Sequence, residues 1–422
     1  MKNKILIALG GILLLVLVFI GINFKKSDDS KPFKEASNSL EPIGPGDKIK
    51  DAVQNLPNCP ANLDGSLTSP LIDLSKVSAI VPLGNLNPPG HTSPVDHNYF
   101  TVAENGKVAL YAPADSLITQ IITISQKNSP SDNYLPLGYV IQYTVCKGLV
   151  LDFANYNGVS DKILKGIENE KLECQGDITK PGHDKIEQQC YYRVAIPVRA
   201  GEEIGYAQND ERGVMGFEIW AADYNKPARA DVNWDYYNDN RYAHSICTFD
   251  LYSGNLKKEF YSKLGHFDYP SNDKIVRPRN FTPRTVEPLC GEVNQDIVGT
   301  IQGMWFGEPP IKSGYIEFEG KGLAFVHNNF DPTIASLSVG GNITKNAGVI
   351  EFKPTHSGTI DREFSEVKAD GNIYCYNSPG GWLSDKGKIL IKLLDNTNLQ
   401  AEFQTGSCNG KEKFNNPFAY ER

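Results

Sequence analysis

The sequence predicts a mostly β protein: an N-terminal transmembrane helix, an antiparallel β domain, and then a C-terminal β-barrel or β-sandwich domain. Three observations carry this expectation. Short runs rich in β-branched and aromatic residues recur from Ser78 onward, bounded by Gly, Pro, Asn or Asp, which is the pattern of half-buried antiparallel strands. The composition agrees, with 20 Tyr, 19 Phe, 38 Gly and 26 Pro against only 3 Met. One uninterrupted apolar run, Ile5 to Phe24, precedes all of these strands. It has about the twenty residues that a helix rising 1.5 Å per residue needs to cross a hydrocarbon core.

Residues 1–4 are a short flank, and 5–24 read as a transmembrane signal anchor. A cleaved secretory signal is the alternative, but its apolar stretch is usually shorter and ends in a small-x-small site. Here the run continues to Phe24 and is followed by Lys25, Lys26, Asp28 and Asp29. Lys2 and Lys4 on one side match Lys25 and Lys26 on the other, so charge does not orient the span. Residues 25–74 are a polar stalk and lead-in, without apolar periodicity as far as about Gly46.

A β domain is expected over 75–225, from the runs SAIVPL, KVALYAP, LITQIITIS, GYVIQYTV, GLVLDFANY, YYRVAIPV and GFEIWAAD. Within it SDKILKGIEN predicts a short helix capped by Ser160, with Ile163, Leu164 and Ile167 on one face. Residues 226–290 are an irregular connection whose one helix, GNLKKEFYSKLG, is closed by Gly265. From 291 to 422 a second set of strand-like runs predicts the barrel or sandwich: IVGTIQGMWF, GYIEFEG, GLAFVHNN, ASLSVGG, GVIEFK, GNIYCY, KILIKLL and LQAEFQ. At 422 residues the chain has length for two or three such domains.

Charge and cysteines narrow the setting. With 42 Lys plus Arg against 50 Asp plus Glu the net charge is −8, which argues against nucleic acid as a partner. All 8 cysteines follow the apolar run and none forms a Cys-x-x-Cys pair. Disulfides in an oxidising, extracytoplasmic space are the expectation, with buried free thiols as the alternative. Cys174 with Cys190 would clip a loop between strands and Cys375 with Cys408 would tie the last domain, although sequence does not fix connectivity.

The densest chemistry lies in PPGHTSPVDHNYF, residues 88–100, which places His91, Asp96 and His97 within seven positions of a chain with 7 histidines. Read onward from His97, the order of features over about residues 90–222 resembles the lysostaphin/LytM-type zinc endopeptidases, which have the duplicated hybrid motif fold. Ala112-Pro113-Ala114-Asp115 is similar to that family's strand motif, and Ala200, Gly201, Ile204 and Gly205 to its glycine turn. Phe217-Glu218 is similar to its last strand. Carried over by this resemblance, the first zinc ligand falls on His97, but the aspartate ligand falls on Thr101. The histidine of Y-x-H-L falls on Asn155, and the His-x-His pair on Val214 and Gly216. The resemblance thus implies a framework without its chemistry. No zinc lowers the pKa of a bound water, and no histidine takes its proton. It also implies a non-catalytic, cofactor-free domain that binds a cell-envelope peptide, glycan or protein.

Two other readings of the cluster stand beside this one. A relocated zinc site would use His91, Asp96 and His97 with His183 or His244, making the chain a zinc hydrolase. Alternatively, Asp96 bonds backbone amides in a turn beginning at Pro94 while the histidines bond loop carbonyls. Further along, Asp231, Asn233 and Asp235 imitate the start of a calcium loop, but Tyr236 and Tyr242 stand where an EF-hand needs Gly and Glu. Trp234, Tyr236 and Tyr237 in that stretch form a candidate ligand surface. Asn280 and Asn342 each begin a glycosylation sequon.

Overall fold

The computed structural model describes residues 47–102, 107–175, 178–179, 186–208, 217–227, 241–268, 279–307, 321–380 and 386–422. The flank 1–4, the expected span 5–24 and the stalk to residue 46 lie outside these. Among the described residues no helix is long and apolar enough to cross a membrane. All of them fall in one compact unit, Ser39–Arg422.

In the first half the strands are β1 (Val77–Val81), β2 (Asn98–Val102), β3 (Lys107–Tyr111), β4 (Ser116–Lys127), β5 (Leu135–Cys146), β6 (Leu149–Tyr156), β7 (Gly158–Val159), β8 (Leu172–Cys174), β9 (Ile178–Thr179), β10 (Ile186–Val198), β11 (Glu203–Gln208), β12 (Phe217–Asp223) and β13 (Ser245–Ile246). A long antiparallel sheet runs β1-β2-β12-β6-β5-β4-β10-β8, with β13 added to β12 and β9 to β10. Side chains alternate across it with the period of two that a pleated strand imposes. Phe217, Ile219 and Ala221 of β12, with Leu149, Leu151 and Phe153 of β6, enter the main core. Trp220 and Ala154 instead join Val140 in a separate small cluster. A second sheet, β3-β11-β7, supplies Val108, Leu110 and Ile204 to the main core.

The segment before β1 belongs to the same body. Helix α1 (Asp47–Gln54) opens the described chain, and Leu67, Leu71, Ile72 and Leu74 are buried in the main core. Helix α2 (Asp161–Ile167) buries Ile163, but Leu164 is 44% exposed and Ser160 makes no capping side-chain bond, so the expected apolar face is narrower. Past the short α3 (Arg241–His244), α4 (Gly254–Lys263) stacks Phe260 on Phe249 and Tyr252, at 4.9 and 4.6 Å between ring centroids. Gly265 opens the strand β14 (Gly265–Asp268), which pairs with β15 (Arg279–Pro283).

The second half is a meander of β16 (Gly303–Trp305), β17 (Leu323–His327), β18 (Ala335–Val339), β19 (Gly348–Phe352), β20 (Tyr374–Ser378), β21 (Gly387–Leu393), β22 (Asn398–Gln404) and β23 (Phe418–Glu421). It forms two four-stranded sheets, β16 to β19 and β20 to β23. They meet at both edges. Phe306 and Glu421 exchange backbone hydrogen bonds of 2.7 and 2.9 Å at one. At the other, Thr355 N donates to Asp361 O and Asp361 N to Cys375 O, linking the segment after β19 to β20. These edge contacts join the two sheets around one interior, packed with Trp305, Phe325, Phe364 and Tyr376 among others. The expected run GYIEFEG lies outside the described residues.

The outer wall of this half packs on the loop that leads into β2. Leu86 joins Ala324, Val326 and Val349, and the Asn329 amide donates to Pro82 O at 3.1 Å. Four disulfides tie the unit: Cys59–Cys146, Cys174–Cys190, Cys247–Cys290 and Cys375–Cys408. Both pairings suggested by sequence are present.

Candidate functional site

The loop 84–97 folds back on itself before β2 begins. Asn87 and His91 exchange backbone hydrogen bonds of 2.8 and 3.0 Å, and Gly84 N donates to Val95 O at 2.9 Å. Closure buries the polar segment, leaving Asp96 1% and His97 7% exposed. Beyond it, register sets Tyr99 of β2 opposite Glu218 of β12, and Glu218 opposite Ala154 of β6. Two residues along, Trp220 faces Asp152, which faces Gln142 of β5. The strand period therefore gathers Glu218, Trp220, Asp152 and Gln142 on the face turned away from the main core.

The cluster is held by charge. Arg241, at the start of α3, donates from Nε to Asp96 Oδ2 at 2.9 Å and holds Nη1 3.6 Å from Asp152 Oδ2. Its guanidinium lies 4.6 Å from the centre of the Trp220 ring, in cation–π range. Gln142 Nε2 donates to the other Asp152 oxygen at 3.1 Å. Burial alone would raise the Asp96 carboxyl, but the Arg241 charge and the His97 hydrogen bond outweigh it and hold the group below the usual carboxylate range.

His97 is spoken for at both ring nitrogens. Nδ1 lies 3.0 Å from Asp96 Oδ1, and an ionised carboxylate only accepts, so Nδ1 carries a proton. Nε2 shares a 2.8 Å hydrogen bond with the Tyr99 hydroxyl, with Glu218 Oε2 at 3.9 Å. His91 packs edge-on against His97, 5.3 Å between ring centroids. Metal coordination by His97 would have to displace one of these bonds.

The sequence-derived residues distribute as follows. Thr101 is buried in β2 and Asn155 sits near the end of β6 with a positive φ of 66°. His244 packs against Tyr224, 4.9 Å between ring centroids. Val214, Gly216, His183, Trp234, Tyr236 and Tyr237 lie outside the described residues. The Asp96 oxygens bond side chains, Arg241 and His97, where a backbone-capping role was expected; a guanidinium is the stronger partner for a buried carboxylate. Among the described residues the one trio of His, Cys, Asp or Glu ligand atoms within 4.8 Å of one another is Cys375, Cys408 and Glu412. Its sulfurs are joined as a disulfide and have no thiolate to offer.

Arg241, Asp152, Tyr99, Trp220 and Gln142 carry the cluster without a sequence motif to announce them. The available signal was a lone acidic residue inside the apolar run GLVLDFANY, and the two-residue spacing of Glu218 and Trp220 on one strand face. Surface clefts lie elsewhere, against the Cys247–Cys290 bridge, with rims that include Asp64, Asp250, Lys257 and Glu287. Fold and cluster together define a disulfide-bonded antiparallel β protein with a largely buried polar centre organised around Arg241. Comparison of the chain with family models, curated proteins and solved structures finds no match.

Proposed function

We propose that the chain is a membrane-anchored extracytoplasmic protein whose first β domain is a degenerate relative of the LytM fold. It binds or scaffolds a cell-envelope peptide, glycan or protein and does not hydrolyse it. One observation carries this reading: the Asp96 carboxylate and both ring nitrogens of His97 are already engaged by protein groups, with Arg241 supplying the positive charge beside Asp96. The adjacency of β2, β12 and β6 supports the resemblance, because Thr101, Asn155 and the Phe217-Glu218 strand then share one sheet. Four disulfides support an oxidising compartment. The apolar run 5–24 supplies the anchor.

The test uses the purified full chain, peptidoglycan-derived peptide and glycan fragments, and a broad peptide library. The expected outcome is saturable binding of an envelope fragment, weakened about tenfold by Trp234→Ala or Tyr236→Ala, with no peptide cleavage. Cleavage that stops on adding a chelator and returns with zinc would overturn the proposal in favour of a zinc hydrolase built around His91, Asp96 and His97.

A further inference from the structure

We propose that Cys174–Cys190 is a thiol-exchange site, at which an external dithiol opens the edge of the long sheet while the other three disulfides stay closed. All eight half-cystines are among the described residues, and Cys174 alone is exposed. Every bridge has one buried half, Cys190 at 6% exposed like Cys146 at 4%, Cys290 at 3% and Cys375 at 0%, so the difference lies in the other half: Cys59, Cys247 and Cys408 are half-buried where Cys174 is exposed. Thiol–disulfide exchange needs a thiolate to reach a sulfur along the bond axis, so access selects the bond that opens.

The position of the bridge makes opening local. β8 is the last strand on the path of the long sheet and has three residues, paired to β10 as Cys174 with Cys190, Glu173 with Tyr191 and Leu172 with Tyr192. Leu172 is 44% exposed, so little apolar burial holds the strand in place. The bridge closes a sequence separation of only 16, against 33, 43 and 87 for the others. Chain entropy therefore makes it the least consequential of the four for global stability. In contrast, Cys59–Cys146 anchors the lead-in to β5, and Cys247–Cys290 joins the segments that flank α4.

The step balances as follows. One thiolate of the dithiol attacks Cys174 Sγ, a mixed disulfide forms, and Cys190 leaves as a thiolate that takes a proton from water. The second thiol of the reagent, deprotonated, then displaces Cys174, which is protonated in turn. The dithiol is oxidised to its disulfide and the cystine takes up two electrons. With β8 unclipped, β10 presents unpaired backbone N–H and C=O groups around Gln189 to Tyr192, an edge on which an extended peptide can add a strand.

Graded dithiothreitol under native conditions, alkylation and peptide mapping test this on the full chain. Cys174 and Cys190 should be alkylated at least about tenfold faster than any other pair, with amide exchange quickening at β8 and the facing stretch of β10 while the β6 and β12 amides stay protected. Equal or earlier opening of another bridge would overturn the proposal, as would loss of β6 and β12 protection in the same step. The Cys174→Ser/Cys190→Ser variant provides the control: it should lack the fast alkylation phase and retain three bridges, and a fast phase that persists would assign the reaction elsewhere.

Discussion

Replacing Arg241 by methionine keeps much of the side chain's bulk and removes its charge, leaving the Asp96 carboxylate buried with a histidine as its remaining partner. Deleting one member of a buried ion pair typically costs 3–5 kcal/mol. The Arg241 side chain is 22% exposed, which places the expected loss near the lower end, at about 3 kcal/mol. At about 2–4 °C per kcal/mol for 150–250 residues, and less for a larger cooperative unit, this corresponds to a fall in Tm of at most about 6–12 °C. The pH dependence is more diagnostic. In the native protein the Asp96 carboxyl is held below its unfolded value, so its contribution is fully present above about pH 4 and is lost as the pH falls toward the folded pKa. In the variant the two lowering contributions of Arg241 are gone and only His97 opposes burial, so the carboxyl moves upward from its native value and is expected to pass its unfolded one. The sign then reverses, and the destabilisation grows as the pH climbs through about 4. Melts followed by near-ultraviolet circular dichroism from pH 3 to 8 measure both effects. Asp96→Asn in the Arg241→Met background should recover part of the loss, because the unpaired charge is gone. A variant within about 0.5 kcal/mol of the parent at every pH would refute the claim that this pair organises the cluster.

Other substitutions probe the frame around it. Phe153→Ala empties a fully buried position between Tyr143 and Phe217 and should cost about 3–5 kcal/mol by chemical denaturation. Arg422→Ala removes donors to Gln302 O at 2.9 Å and Thr300 O at 2.8 Å and uncovers Trp305, so the second half should lose about 3 kcal/mol, read by Trp fluorescence during unfolding. Gly84→Ala forces a side chain onto a backbone with φ +84° and drives Cβ into the Glu292 carbonyl. About 2 kcal/mol or more should be lost, with the loop 84–97 showing faster amide exchange.

Much of the β architecture was legible because alternation survives in the sequence: β3, β6 and β12 fall within expected runs, while β1, β4, β5 and β10 overlap theirs and extend beyond them. Strand β11 was hidden in what read as a glycine turn. Strand β23 was missed because three of its four residues are exposed and leave no apolar alternation. The helix at α2 was placed by its periodicity, yet Leu164 turned outward because only Ile163 and Ile167 find the sheet. The two disulfides expected from sequence have the shortest separations, 16 and 33, whereas 43 and 87 residues carry no such local cue. The polar cluster was half legible. Asp96 and His97 stand out as neighbours, but Arg241 is 145 residues from Asp96, and only the fold brings it there.

Zinc stoichiometry is the most direct measurement of whether the cluster is a closed polar centre or a metal site. Equilibrium dialysis of the oxidised full chain against micromolar zinc at pH 7.5, followed by elemental analysis, should leave less than about 0.1 zinc per chain. One tightly held zinc per chain, abolished by His97→Ala, would contradict it.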